Sequence, residues 1–281
     1  MPELPEVEIA RRNLQRWLRG KTLVAAHVAP TRVVRLEHAR GRASAAAATS
    51  LERALIGHRV RSVDRRGKWL RIALDDGALV FSHLGMSGRW VKRPRDAEAE
   101  RSERARLDLE RTSVRYVDPR MFGRLLLAMD DIAEWRALGP DPLVDGVDPG
   151  KLGTALAALR RTVKEALMDQ SVLAGIGNIQ ATESLYFARL DPRARTDALT
   201  PKDVRALARG IDETLARTLA HEQGPEITYV EDAGAPNPFV IYGRGGEPCP
   251  RCETPLTRIV LGGRTTVFCA RCQPARAQRR R

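Results

Sequence analysis

The chain has 281 residues, enough for one large or two ordinary domains of about 100–200 residues each. With 43% hydrophobic and 30% charged residues it reads as globular and is neither disordered nor collagen-like. Lys and Arg outnumber Asp and Glu by 48 to 35, a net charge of +13, which favours nucleic acid as partner and leaves membrane surfaces and acidic partners as alternatives. No apolar run approaches the ~18 residues of a membrane span. The opening MPELPEVEIA carries acids and prolines where a secretory signal has a basic stretch and an apolar core, so neither insertion nor secretion by that route is expected.

Residues 4–20 predict a helix, with Val7, Leu14, Trp17 and Leu18 on one face and Gly20 as its stop. Residues 22–130 then predict β structure. Short apolar stretches (Leu23–Ala26, Trp69–Leu74, Leu79–Phe81, Leu125–Met129) alternate with turn signals, of which Asp75-Asp76-Gly77 is the clearest. Ala39–Ala54 is Ala- and Arg-rich and predicts a helix, and the charge-dense Arg93–Arg106 predicts a solvated loop.

GPDPLVDGVDPG at 139–150 holds three Pro and three Gly and reads as a linker. Beyond it the apolar period becomes helical, over Leu152–Arg160, Thr162–Asp169, Ile179–Arg189 and Pro201–Glu222. Thr200 before Pro201 supplies a cap followed by proline at the first helical position. The piece from about Phe239 is short, Gly- and Cys-rich and basic. The expected fold class is α+β: a β domain with a leading helix (2–138), the linker (139–150), a helical domain (151–238), a small metal-held appendix (239–273) and a basic tail (274–281).

All four cysteines fall in this last part, as Cys249-x2-Cys252 and Cys269-x2-Cys272 with sixteen residues between. Two CxxC knuckles at the ends of a hairpin place four thiolates tetrahedrally, which suits one structural Zn²⁺; an iron–sulfur site and four unligated thiols are the alternatives. Arg264, in the GGRTT stretch, is placed to fork onto a phosphate or is an ordinary exposed arginine. LAGIGNI at 173–179 is a glycine turn between helical segments whose amides, with Asn178, suit a phosphate, although such turns are often no more than turns. At the start, Pro2 follows Met1. A small second residue favours removal of Met1, which leaves a secondary amine beside the Glu3 carboxylate, a nucleophile with an acid/base partner.

Together these pieces resemble the formamidopyrimidine-DNA glycosylase and endonuclease VIII family, the first branch most closely. The motifs are MPELPEVE at the start, RGKWL at 66–70, HLGMSG at 83–88, DPRMFG at 118–123, LMDQSVLAGIGNI at 167–179 and YGRGGEPC at 242–249, in order along nearly the whole chain. The resemblance implies that the β domain is a β-sandwich, the helical domain a helix–two-turn–helix module and the metal-held appendix a zinc-finger β-hairpin, and that double-stranded damaged DNA is clamped between the domains. It implies a bifunctional base-excision-repair glycosylase and AP lyase that removes oxidised purines (formamidopyrimidines, 8-oxoguanine) through a proline Schiff base and β,δ-elimination. In that scheme Pro2 is the nucleophile and Glu3 the proton donor. Lys68 and Arg264 are phosphate contacts and proton donors for β- and δ-elimination respectively. Asn178 is a further phosphate clamp, while Met86, Arg120 and Phe122 fill the gap left by the everted lesion, with Arg120 meeting the orphaned base. The family pattern further implies a monomer, cytoplasmic and held to the nucleoid through DNA.

The chain departs from the family's usual motifs at four places. Met121 stands for Arg, Gln180 for Tyr, and SERAR at 102–106 for a His-containing stretch; EDAGAPNPFV at 231–240 replaces the usual loop over a flipped oxidised guanine. Two readings compete with the leading one: the same chemistry on oxidised pyrimidines, against which Leu4 counts, and a non-catalytic binder of damaged DNA, against which Pro2, Glu3 and Lys68 count.

Overall fold

The computed structural model describes residues 2–36, 45–221, 224 and 226–275. The chain divides into two compact units, Met1–Ala137 with Glu222–Ala235, and Leu138–His221 with Pro236–Arg281.

The first unit begins with α1 (Leu4–Leu18), which has Pro5 in its first turn. The Glu6 carboxylate reaches back to the Glu3 N–H at 2.8 Å, half of a capping box. Leu4, Val7, Leu14, Trp17 and Leu18 are buried, and Gly20 follows at φ +75. After β1 (Ala25–Val28), β2 (Val34–Leu36) and α2 (Ala45–Leu55) come β3 (Val60–Arg66), β4 (Trp69–Leu74), β5 (Leu79–His83), β6 (Arg89–Pro94), β7 (Glu103–Asp108), β8 (Thr112–Val117), β9 (Arg124–Ala128) and the one-turn α3 (Ala133–Arg136). Of the helix expected over Ala39–Ala54, residues 39–44 lie outside the described residues.

Two sheets form, ordered β2-β9-β5-β4-β3 and β1-β7-β8-β6, antiparallel apart from the β2–β9 pair. They are pinned face to face by the Trp90 indole N–H on Ser82 Oγ at 3.1 Å and the Tyr116 hydroxyl on the His83 carbonyl at 3.2 Å, the sandwich the sequence predicts. Asp75-Asp76-Gly77 forms the β4–β5 turn: Gly77 has φ +94 and Asp76 Oδ1 accepts the Ala78 N–H at 3.0 Å.

Of Arg93–Arg106, expected as a solvated loop, residues 95–102 form a largely exposed turn, whereas the ends lie in β6 and β7, with Ala105 buried in a sheet and the Arg93, Arg104 and Arg106 arms on partners. Arg104 Nε donates to the Asp118 carbonyl at 3.0 Å, Arg106 Nε to Asp108 Oδ1 at 2.6 Å, and Arg93 Nε to Glu100 at 2.7 Å.

The second unit holds α4 (Pro149–Ala157), α5 (Val163–Leu167), α6 (Asn178–Phe187), α7 (Pro201–His221), β10 (Thr257–Leu261) and β11 (Arg264–Phe268). The 139–150 stretch is no loose spacer. Gly139 donates to the Gln170 carbonyl at 2.9 Å, Pro140 accepts from Ala174 at 2.9 Å, and Asp148 caps α4 by accepting the Lys151 N–H at 2.7 Å. A Cβ at Gly139 would lie 2.2 Å from the Ser171 carbonyl oxygen, so only glycine admits this approach. The segment 226–235 follows the helical part in sequence yet clusters with the first unit, because Glu226 and Asp232 pair with Arg93 and Arg89 of β6.

Candidate nucleic-acid and catalytic site

In the first unit the expected residues lie at a helix start, a hairpin tip and two loops. Pro2 and Glu3 are buried at the entry to α1, Glu3 with no exposed surface. Lys68 occupies the two-residue Gly67-Lys68 turn between paired Arg66 and Trp69, with Gly67 at φ +56. One turn into α1, Glu8 accepts from Arg11, Arg12 and the buried Arg65 of β3. These guanidiniums overcome the effect of burial, which by itself raises the pKa, and hold the carboxyl down at about 2.

Met86 lies on the 84–88 loop, and Arg120 and Phe122 on the 118–123 loop. Side chains knit the two loops together. Ser87 Oγ donates to Asp118 Oδ1 at 2.7 Å, the Gly123 N–H donates to Asp118 Oδ2 at 2.8 Å, and the Arg120 N–H reaches Ser87 Oγ at 3.3 Å. A Cβ on Gly85 would lie 2.4 Å from the Phe122 carbonyl carbon, and Gly85 also sits at φ +65. Arg32 holds the second loop from its other side, donating to the carbonyls of Arg120 and Met121 at 2.8 and 2.9 Å. That anchorage accompanies φ +53 at Met121, an uncommon conformation for a side chain of its size. Phe122 is 48% exposed, with the Arg32 and Arg120 guanidiniums 5.4 and 5.0 Å from its ring centre. The loops thus present a half-buried Met, an exposed Arg and an exposed Phe on a stiff mount.

Behind them His83 is pushed down to about 4, by burial first and then by the positive charges of Lys68 and Arg124. Its ring is therefore neutral at pH 7, and Nδ1 accepts the Gly85 N–H at 3.0 Å, fixing the start of the loop.

Sequence reasoning missed the segment that closes this unit. Tyr229 is buried, and its hydroxyl donates to the Gly88 carbonyl at 2.6 Å. Burial raises its pKa well above the ordinary phenol value, and the charge of Glu6, in the first turn of α1, pushes the same way. Arg89 donates to Asp232 at 2.8 Å and lies 4.7 Å over the Tyr229 ring, and Arg93 pairs with Glu226. These bonds bridge chain separations of more than 130 residues, which no local pattern encodes.

The second unit brings Asn178 and the Arg264 hairpin together. Asn178 opens α6 after Gly177, and its Nδ2 donates to the Thr265 carbonyl at 3.0 Å, next to Arg264. The turn before it is held by Gln170, which accepts from Gly175 N–H and donates to the carbonyls of Met168 and Ile176, each within 2.9 Å. Buried Lys164 donates to the Asn178 carbonyl at 2.8 Å. Gly262 and Gly263, at φ +52 and +71, make the β10–β11 turn, and Arg264 follows them, exposed. Gln180, where the family motif has Tyr, donates to Thr218 Oγ1 at 3.2 Å and so ties α6 to α7.

Sulfur separations among the four cysteines include 3.4 Å (Cys252–Cys272), 3.5 Å (Cys252–Cys269) and 3.9 Å (Cys249–Cys272). Tetrahedral zinc with Zn–S near ~2.3 Å requires edges of about 3.8 Å, so the cage fits one structural zinc. The knuckles are seated on the helices. Glu183 accepts the N–H groups of Val240, Ile241 and Tyr242 at 2.8–2.9 Å, and Gln273 bridges Cys269 N–H and the Leu190 carbonyl. Burial raises the Glu183 pKa against the pull of those three amides.

Fold and site are those of a DNA-glycosylase type with a β unit, a helix–two-turn–helix module and a zinc finger. Family models match in that order: the formamidopyrimidine-DNA glycosylase N-terminal domain over 1–125, its H2TH domain over 138–229, and the zinc finger found in FPG and IleRS over 246–275. A formamidopyrimidine-DNA glycosylase of Thermobifida fusca is 38% identical, the alignment covering 98% of each chain. Among solved structures, the Thermus thermophilus MutM (Fpg) protein matches with a TM-score of 0.79 at 36% identity, covering 97% of this chain and 98% of that one. Lactococcus lactis Fpg matches at 0.84 and 28% in complex with DNA containing an abasic site, covering 97% and 100%. It matches at 0.85 and 27% with DNA containing an oxidised pyrimidine, covering 98% and 100%. The chain belongs to the formamidopyrimidine-DNA glycosylase family.

Proposed function

We propose that this chain is a bifunctional base-excision-repair enzyme that removes oxidised purines, formamidopyrimidines and 8-oxoguanine, from duplex DNA and then cleaves the strand. The observation that carries this reading is the stiffly mounted trio Met86, Arg120 and Phe122, in the same unit as the buried Pro2–Glu3 helix start. A lesion base must leave the stack before its C1′ atom is accessible, at a cost of a few kcal/mol. Met86 and Phe122 fill the void and recover stacking, and Arg120 bonds the orphaned base. Asn178 and Arg264, neighbours through Thr265, hold phosphates with Lys68.

Once Met1 is removed, the Pro2 amine attacks C1′. The base leaves with its bonding electrons, and Glu3 protonates the ring oxygen as the sugar opens. The resulting iminium is cationic without added protons. It acidifies the C2′ position, so the 3′ phosphate and then the 5′ phosphate are eliminated, with Lys68 and Arg264 supplying protons. A monomer acting in the cytoplasm on nucleoid DNA goes with this reading, and among the described residues no helix is long and apolar enough to cross a membrane.

Borohydride should trap a covalent adduct at residue 2, and Pro2→Gly should lose strand nicking far more than DNA binding. Full excision by protein shown by mass spectrometry to retain Met1 would overturn the amine mechanism. A second reading, the same chemistry on oxidised pyrimidines, is favoured by the atypical 231–240 stretch. Duplexes each carrying one lesion separate the two.

A further inference from the structure

Tyr186 lies near the end of α6, the helix whose first residue is Asn178. Its ring is buried in a cluster with Ile241, Leu256, Val267, Cys249 and Cys269. Its hydroxyl stands 3.6 Å from Cys249 Sγ, its one hydrogen-bond partner among the described residues. A buried hydroxyl needs a partner. Zinc binds cysteine as thiolate, which has no proton to give, so in the loaded finger the phenol is the donor. Arg251, between the first two ligands in sequence, places its guanidinium 4.0 Å over the Tyr186 ring and donates to the Tyr186 carbonyl at 2.7 Å. A cation on the ring face draws electrons from the phenol and strengthens its donation.

We infer that Tyr186 is a positioning residue of the zinc centre, donating a hydrogen bond to the Cys249 thiolate and slowing loss of the metal. The inference rests on the one-zinc reading of the cysteine quartet. The bond relieves some of the charge that four thiolates place around one dication, as outer-sphere donors do elsewhere. It also adds to the ties that Asn178 and Glu183 already make between the finger and α6. Asn178 bonds Thr265 at the start of the helix and Tyr186 bonds Cys249 near its end, so metal retention and the placing of Arg264 share one rigid element.

The test uses the full-length protein. Tyr186→Phe keeps the ring and removes the donor. Zinc transfer to a coloured chelator should become about ten-fold faster, at the lower end of the ~10–100-fold range for lost outer-sphere partners. In the cobalt-substituted protein the sulfur-to-cobalt charge-transfer band should move to lower energy, because a thiolate without its hydrogen bond gives up electrons more readily. Replacing all four tyrosines by 3-fluorotyrosine makes each phenol a stronger donor and should move the band the other way. Tyr116 and Tyr229 bond carbonyls of the first unit, and a Tyr242→Phe protein fluorinated in the same way removes the contribution of the tyrosine beside the finger. The fluorinated protein carries the test should the phenylalanine variant not fold. A band unmoved in the fluorinated protein, or zinc release in a folded Tyr186→Phe protein within about two-fold of the parent, overturns the inference. Absence of cobalt binding in the parent would instead overturn the zinc reading.

Discussion

The mount of Met86, Arg120 and Phe122 and the hairpin that carries Arg264 reach rigidity by opposite means. In the first unit the 84–88 and 118–123 loops are locked by neutral and charged side-chain bonds through Ser87 and Asp118, with glycines where backbone meets backbone. In the second, the hairpin behind Arg264 shares a small core with Tyr186 of α6 and relies on four thiolates gathered around a metal, plus hydrogen bonds to Asn178, Glu183 and Tyr186 of that helix. Packing distributes the lock over many weak contacts, whereas the metal concentrates it in one ion. The second device should therefore fail all at once and the first by degrees.

The largest break in that symmetry should come from Cys269→Ser. Zinc supplies ~10–16 kcal/mol in finger peptides, so losing a ligand should unfold the hairpin and abolish DNA binding while the β unit keeps its melting transition. Elemental analysis with limited proteolysis would check it. Gly85→Ala should cost the first unit about 2–4 kcal/mol, from a left-handed backbone and a Cβ driven into the Phe122 carbonyl, seen as a lowered denaturant midpoint without metal loss.

The Glu8 cluster sharpens the contrast by acid. Its folded pKa is depressed to about 2 from 4.5, so its stabilisation is complete above the unfolded value and is lost as pH falls from there through 2. Glu8→Gln should flatten that limb of the stability curve and leave neutral behaviour of the second unit unchanged. The smallest expected effect is that of Arg264→Ala. If ~6–10 phosphates are neutralised, affinity drops about 10³–10⁵ between about 50 and 200 mM salt, and the variant should lower the logarithmic slope by about one.

The same contrast decides what was legible. The cysteine quartet could be read because metal chemistry fixes its own spacing, and the Asp75–Gly77 turn because backbone conformation selects its residues. Charge density marks the exposed turn at 95–102 but not the strand ends on either side of it, where Arg104 and Arg106 end on Asp118 and Asp108. Lys164, Arg115 and Glu183 are buried charges satisfied by backbone groups of neighbouring segments, those of Glu183 57–59 residues away, and only the fold discloses them. Segment 226–235 follows a helix in sequence yet is bound by Arg89 and Arg93 of β6, a pairing that contiguity does not disclose. Met86, Arg120 and Phe122 were found through motif resemblance alone; their shared mount on Asp118 has no signature in periodicity.

Glu183 has a consequence for what the chain tolerates. It sits on α6 and grips the amides of Val240, Ile241 and Tyr242, so the polypeptide that leaves this helix at Phe187 returns to the same helix. Residues 188 and 239 thus both lie next to anchors on α6, and between them α7 and the 226–232 stretch are held by bonds of their own. The entropy of closing a flexible loop grows only logarithmically, about 0.6 kcal/mol per doubling of length. Residues can be inserted into or deleted from the exposed stretch around 233–236 at little cost to the metal-bearing hairpin, which makes that stretch free to vary in length while the finger stays seated.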